Sequence, residues 1–438
     1  MMRRVLGVWM VMLSAVCAGA QTGAGPDPIV FVHGNGDDSA KWIGMIGLFE
    51  SNGYPPDRLY AVRFTNPMAR TADHVPEAGR SSTIDQVSEL SAAVARALLE
   101  THAHKVVLVG SSRGGMTIRN YLRNGGGSAV VSAAILCGTP NHGVYAVAAG
   151  LDGEFNGSGT FLRELNEGSE VVDGVRMMTL RSDKLDKYAQ PDGRPSGLLE
   201  HTGVTYEGPA LKGAENVVIA GADHRELAFT PQAFRLMYRY ITSKEPMRDM
   251  VVAEARPVVS GLVTGFEGKS PTNLGVAGVR LSVYALGEGS ARRAGAAVYE
   301  TTTDASGAWG PVTLDPAVEY EFELASKGRT ISYFKAPIPR STRLLNLRLV
   351  PEAADPAKGT AHLLISRPEG YFSAERDAVL IDGAQSKDEP GGLPVKDNFV
   401  ATVPRAKGGV KVQLRGETIW ARPSEDFGTR LAVVDLLW

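Results

Sequence analysis

The sequence predicts an α/β domain, with a mostly parallel sheet covered by helices on both faces, followed by an all-β C-terminal region. Two observations carry this. Over residues 28–242, short continuous apolar runs such as Ile29–Val32 and Val131–Leu136 alternate with helical patterns. Strands that are apolar throughout are buried on both faces, as in a parallel sheet sandwiched by helices. After Pro246 strict alternation takes over, as in Val279, Leu281, Val283 and in Val318, Tyr320, Phe322, Leu324. That is the pattern of strands with one buried face.

In chain order, Ile29–Val32 reads as a first buried strand and Leu59–Phe64 as a second. Val87, Leu90, Val94 and Leu98 repeat at helical spacing, with Thr83 and Gln86 as a capping box at the start. Val106–Val109, Val131–Leu136, Met177–Leu180 and Val217–Ala220 read as further buried strands, and Thr230-Pro231 opens a last helix through Tyr240. In the β region, Asp304–Gly307 is a turn between strands and Leu345, Leu347 and Leu349 alternate. Residues 351–359, with two prolines and a glycine, read as a linker to a second β module around Val410, Val412 and Leu414. The expected division is 1–20, 21–246, 247–350 and 351–438.

The first twenty residues read as a secretory signal. Arg3 and Arg4 precede an apolar run, Val5–Val16, and Ala18-Gly19-Ala20 supplies small residues before Gln21, the expected first mature residue. The run is too short to span a bilayer, and no later segment is apolar enough to cross one. A secreted or periplasmic chain is expected. Cleavage would leave Cys137 alone, so stability must come from core burial. A composition 43% hydrophobic and 21% charged is that of a globular protein, and a net charge of −2 offers no field for nucleic acid.

Gly110-Ser111-Ser112-Arg113-Gly114 fits G-x-S-x-G between a strand and the helical stretch Met116–Leu122. A nucleophile on a sharp strand–helix turn needs small residues two positions either side, so that the hydroxyl stands exposed above the sheet. Ser112 is thus the candidate nucleophile. A serine needs a base to take its proton. Of the histidines after it, His362 lies in the β half, His142 just past a strand and His201 in an irregular glycine-rich stretch. Only His224 follows a predicted strand and precedes a helix. The acid that orients it is Asp186 or Asp183, both after Met177–Leu180. Asp183 directly follows the strand end, where it could instead cap a turn. His33 reads as a residue that holds its loop and not as a second base.

Residues 28–242 resemble compact bacterial lipases in Val32-His33-Gly34-Asn35-Gly36, in Gly110–Gly115 and in Thr139-Pro140-Asn141-His142-Gly143. That resemblance makes the backbone N–H groups of Asn35 and Arg113 the oxyanion donors. The run Asp186-x-x-Ala189-x-Pro191 is similar to the segment around the acid of many lipases, which favours Asp186. The whole chain resembles archaeal-type lipases whose α/β-hydrolase domain precedes a β-rich lipid-binding region. The resemblance rests on Ile331–Pro339 running into Leu345–Pro351, and on Asp377–Gly383. In that family the acid can sit directly after the strand that follows the nucleophile. Here Cys137-Gly138 fills that place.

The expectation is a secreted carboxylic-ester hydrolase acting on lipid or other esters, with no metal or cofactor. The β modules would contact lipid, and residues 139–175 would form a lid, an acyl-chain wall or a plain loop. The rival readings are a depolymerase of extracellular polyesters and a non-catalytic surface-binding protein.

Overall fold

A computed structural model describes residues 25–191, 203–351, 360–403 and 409–437. The expected signal segment, His201 and most of the linker lie outside these residues. Six parallel strands form the first sheet: β1 (Ile29–Val32), β2 (Leu59–Ala61), β3 (Val106–Ser111), β4 (Val131–Cys137), β5 (Arg176–Ser182) and β6 (Glu215–Ile219). Their order is β2-β1-β3-β4-β5-β6. Alternate residues of each strand feed two cores. Ile29, Phe31, Val107, Val109, Ile135 and Leu180 meet α1 (Ile43–Ser51) and the later helix Pro231–Thr242 on one face. Val30, Val32, Leu108, Leu136 and Met177 meet α2 (Thr83–Thr101) and α3 (Arg113–Asn124) on the other. A parallel sheet covered by helices on both faces in this way is the α/β-hydrolase fold.

Three local expectations need correction. The second strand stops at Ala61. The capping box of α2 lies one residue earlier: Ser82 accepts from the Asp85 N–H at 3.1 Å and donates its own N–H to Asp85 at 2.9 Å. Thr83 is instead held by Asp73. The run Val217–Ala220 is an edge strand, with Val218 44% exposed, because β6 is last in the sheet order and only one side of it is paired.

One sheet of the C-terminal region takes strands from both sides of the 351–359 segment. This seven-stranded sheet has the order Tyr299–Thr302, Arg280–Ala285, Tyr320–Ser326, Arg329–Lys335, Arg430–Asp435, Ala361–Ser366, Asn398–Val403. The strand Arg430–Asp435 lies between Arg329–Lys335 and Ala361–Ser366 and pairs in parallel with both. Its Leu431 and Val433 enter the core of Leu281, Val283, Phe322 and Leu324. Ala432 and Val434 enter the core of Leu363, Ile365, Val410 and Val412. Local alternation marks each strand but cannot reveal which distant strand it pairs with.

The β region packs against the hydrolase domain through polar contacts. Asn273 donates to the carbonyls of Phe64 and Asp37 at 2.8 and 3.1 Å, and Arg340 pairs with Glu50 of α1 at 2.6 Å. Glu369 lies in this seam, its carboxylate oxygens 3.8 Å from where a side chain on Gly44 would begin. Burial pushes its pKa up to about 8 against the pull of Lys41. A carboxyl whose folded pKa exceeds its unfolded value stabilises the fold while protonated. Its contribution is full below pH 4.5 and lost as pH rises through about 8, on the order of 5 kcal/mol at about 1.4 kcal/mol per unit. Urea unfolding at pH 5, 7 and 9 should show Glu369→Gln losing less stability across this range than the parent. Parallel curves for the two proteins would refute the assignment.

Candidate active site

Ser112 joins β3 to α3 with φ 53° and ψ −122°, a conformation costly for a residue with a side chain. Its surroundings hold it there. The Ser112 N–H donates to the Cys137 carbonyl at 2.8 Å, and its own carbonyl accepts from the Gly115 N–H at 3.0 Å. A side chain on Gly114 would begin 2.4 Å from the Val32 carbonyl oxygen. Only glycine lets the first turn of α3 press against the end of β1.

The same turn faces the loop after β1. No carbonyl or side chain among the described residues accepts from the N–H of Asn35 or of Arg113. Both donors remain available at the foot of a helix whose dipole favours negative charge. The Asn35 side chain accepts from the Ala69 N–H at 2.7 Å and so fixes the loop. His33 fixes it from below: Nδ1 donates to the Gly34 carbonyl at 3.0 Å and Nε2 accepts from the Phe64 N–H at 3.2 Å. Burial lowers its pKa, which keeps this ring neutral and structural.

The Arg113 side chain, which the sequence offered only as a backbone donor, is fully buried. It meets Glu154 at 2.6 Å and reaches the Pro67 carbonyl and Ser81, so that all five of its N–H groups have acceptors. A cation at a helix N-terminus opposes the dipole; Glu154 offsets it and ties α3 to the segment 153–157.

His224 follows β6 and is 2% exposed. Its Nδ1 lies 2.9 Å from Oδ1 of Asp186, with the ring N–H off the line of a formed hydrogen bond. Such pairs are often poorly aligned before substrate binds. Asp186 is itself 2% exposed and accepts from the Tyr188 N–H at 2.8 Å. The Tyr188 ring stands edge-on to the imidazole, with centroids 4.6 Å apart. Nε2 of His224 is buried and has no hydrogen-bond partner among the described residues.

Asp183, three residues before Asp186, points elsewhere. It accepts from the N–H groups of Lys184 and Gly221 at 2.7 and 3.1 Å. Desolvation works against these bonds, yet they hold its carboxyl below the usual range. Its work is to brace the end of β5 against the loop after β6. His142 is likewise committed, to the Gly208 carbonyl and to Glu170. Burial pushes the Cys137 thiol well up, so it is no rival nucleophile.

Ser112, Asp186 and His224 therefore stand at the carboxyl ends of β3, β5 and β6, where ligands of parallel sheets bind. Cys137-Gly138 lies between them. The Cys137 carbonyl receives the Ser112 N–H, and a side chain on Gly138 would begin 3.2 Å from Nδ1 of His224. The place where an acid was absent is filled by the imidazole itself. A hydroxyl on a strained turn, two free N–H groups and a carboxylate–imidazole pair are the parts of an acyl-transfer site.

Residues 26–158 match the model of class 2 lipases, and residues 257–351 match that of the lipase C-terminal domain. Among solved structures, a Bacillus licheniformis lipase in its propeptide form is similar at 15% identity. That match covers 90% of this chain and 73% of the other, with a TM-score of 0.38. Aspergillus fumigatus lipase B is similar at 14% identity over 52% of this chain and 56% of its own, with a TM-score of 0.38. A monoacylglycerol lipase of Paleococcus ferrophilus is similar at 15% identity over 50% of this chain and 96% of its own, with a TM-score of 0.33.

Gly138 tests the packing around the imidazole. It has φ 58°, and an added methyl would begin 2.9 Å from the His224 carbonyl oxygen. Gly138→Ala should cost about 1–3 kcal/mol in urea unfolding and lower esterase activity in the protein that remains folded. Unchanged stability and rate would refute this packing.

Proposed function

We propose that this carboxylic-ester hydrolase, built from a class 2 lipase domain and a lipase C-terminal domain, works through Ser112, His224 and Asp186 and a covalent acyl-enzyme. The observation that carries the reading is the strained Ser112 turn in company with the buried pair of His224 and Asp186, 2.9 Å apart. Ser112 Oγ attacks the ester carbonyl while Nε2 of His224 takes its proton. The oxyanion accepts from the N–H groups of Asn35 and Arg113. The intermediate then collapses: the C–O bond to the alcohol breaks and His224 returns the proton to it. A water molecule, deprotonated by the same nitrogen, then attacks the acyl carbonyl; the bond to Ser112 Oγ breaks, His224 returns the proton to that oxygen and the carboxylic acid leaves. Asp186 holds the imidazole in the productive tautomer and stabilises its charged form.

Lipid or another long-chain ester is the proposed substrate class. The exposed Phe266 and Leu274 support it. They lie on the hairpin that also carries Asn273, which bonds the Asp37 carbonyl just past the oxyanion loop. Export is proposed from the basic and apolar pattern of residues 1–20.

On p-nitrophenyl butyrate, Ser112→Ala should lose roughly 10⁴-fold or more in kcat. Asp186→Asn should lose about 10²–10⁴-fold, since the imidazole loses its orienting charge. Asp183→Asn should lose no more than a few-fold. If the serine variant keeps over about a tenth of the rate, the mechanism is wrong. If Asp183→Asn is the dead variant, the two aspartates exchange roles.

A further inference from the structure

We infer that the C-terminal β region is part of the hydrolase machinery, with Arg376 and Asp397 as positioning residues for His224. The inference rests on His224 being the base.

The loop that carries His224 reads Asp223-His224-Arg225-Glu226, and each charged neighbour is tied to residues beyond 365. Asp223, fully buried, accepts from the Tyr371 N–H at 2.8 Å and from Arg376 at 3.0 Å. Its other oxygen accepts from the N–H groups of Arg225 and Glu226 at 2.9 and 3.0 Å, closing the turn around His224. Glu226 accepts from Arg367 at 2.6 Å, Arg415 at 2.7 Å and Arg376 at 2.9 Å. Asp377 completes this cluster, meeting Arg376 at 2.7 Å and Arg415 at 2.6 Å.

Arg225 is tied in a second direction. Its guanidinium meets Asp397 at 2.6 Å and Asp37 at 3.4 Å, and lies 4.7 Å over the Tyr371 ring. Asp37 follows the oxyanion loop, so this one side chain links the base loop, the oxyanion loop and the β region. The acid loop is gripped as well. Lys187, next to Asp186, donates to the Val395 carbonyl at 2.9 Å and lies 4.1 Å over the same Tyr371 ring.

A region serving only to contact lipid needs none of these bonds. Backbone fixed on both sides of an imidazole leaves it little freedom to swing, and small misplacements of a catalytic group cost large factors in rate. Arg376 bridges Asp223 and Glu226 and so spans the turn that holds His224.

The test uses the full chain and two esters, p-nitrophenyl butyrate in solution and p-nitrophenyl palmitate in emulsion. Rates are expressed per active site titrated with a fluorophosphonate, alongside thermal melts. Arg376→Ala should lower kcat by about 10²-fold with KM little changed, by the same factor on both esters. Arg376→Lys should recover part of that loss. Asp397→Asn is the milder probe, because the Asp397 side chain is 36% exposed and Arg225 keeps its contact with Asp37 at 3.4 Å. It should lower kcat several-fold on both esters, with KM little changed. A loss confined to the emulsified palmitate would overturn the inference in favour of lipid contact alone. Lower melting temperatures with unchanged kcat per titrated site would overturn it in favour of simple stabilisation. His224→Ala in the same assay separates the two levels. If it stays active, the base assignment itself falls. If it is dead while the Arg376 and Asp397 variants match the parent, only the positioning role falls.

Discussion

A carboxylate leaves water at a high cost unless its charge is met, and removing one partner of a buried pair is more damaging than never having made it. Asp223 and Glu226 flank His224 and are both buried. Their charges are met by Arg367, Arg376 and Arg415, which follow 141 to 189 residues later in the chain. Burial raises the Asp223 pKa, with Glu226 adding to the rise, whereas the three arginines hold Glu226 below its ordinary range against its own desolvation. The position of the loop after β6 therefore depends on a region folded around a different sheet.

The same logic recurs at the nucleophile. The backbone of Ser112 is strained, and strain persists only where neighbours over-determine it. Gly114 permits the close approach of α3 to β1, the Cys137 carbonyl receives the Ser112 N–H, and the Arg113–Glu154 pair locks the helix start. Both halves of the chemistry thus rest on buried, satisfied polar contacts beside an apolar sheet. Fully satisfied networks of this kind specify one geometry, which suits a site that must bring three side chains from three strand ends into line.

What was legible in the sequence is what short-range rules govern. The runs Ile29–Val32, Val106–Val109 and Val131–Leu136 are strands because continuous apolar residues fit a doubly covered sheet. The glycines around Ser112 announce the turn, and His224 is marked by the strand and helices on its two sides. Asp186 and Asp183 could be narrowed to two but not separated by spacing alone, since three residues of loop decide which carboxylate faces the ring. The register of the α2 cap slipped by one because Ser82 and Thr83 are both good caps, and Asp73, from outside the helix, takes Thr83. The strand Arg430–Asp435 between two earlier strands, the side-chain role of Arg113 and the arginines that hold the His224 loop are all long-range. The run Asp223–Glu226 did carry a signal, three charges around one histidine, but nothing local names their partners.

In the proposed mechanism Ser112, His224, Asp186 and the N–H groups of Asn35 and Arg113 converge on one reacting centre. A crystal structure of the full chain after reaction with diethyl p-nitrophenyl phosphate tests this most directly. Phosphorus should be bonded to Ser112 Oγ, with a phosphoryl oxygen within about 3 Å of both N–H groups. The His224 ring should lie in hydrogen-bonding line with Asp186. Phosphorus on another residue would contradict this mechanism, as would a phosphoryl oxygen turned away from Asn35 and Arg113.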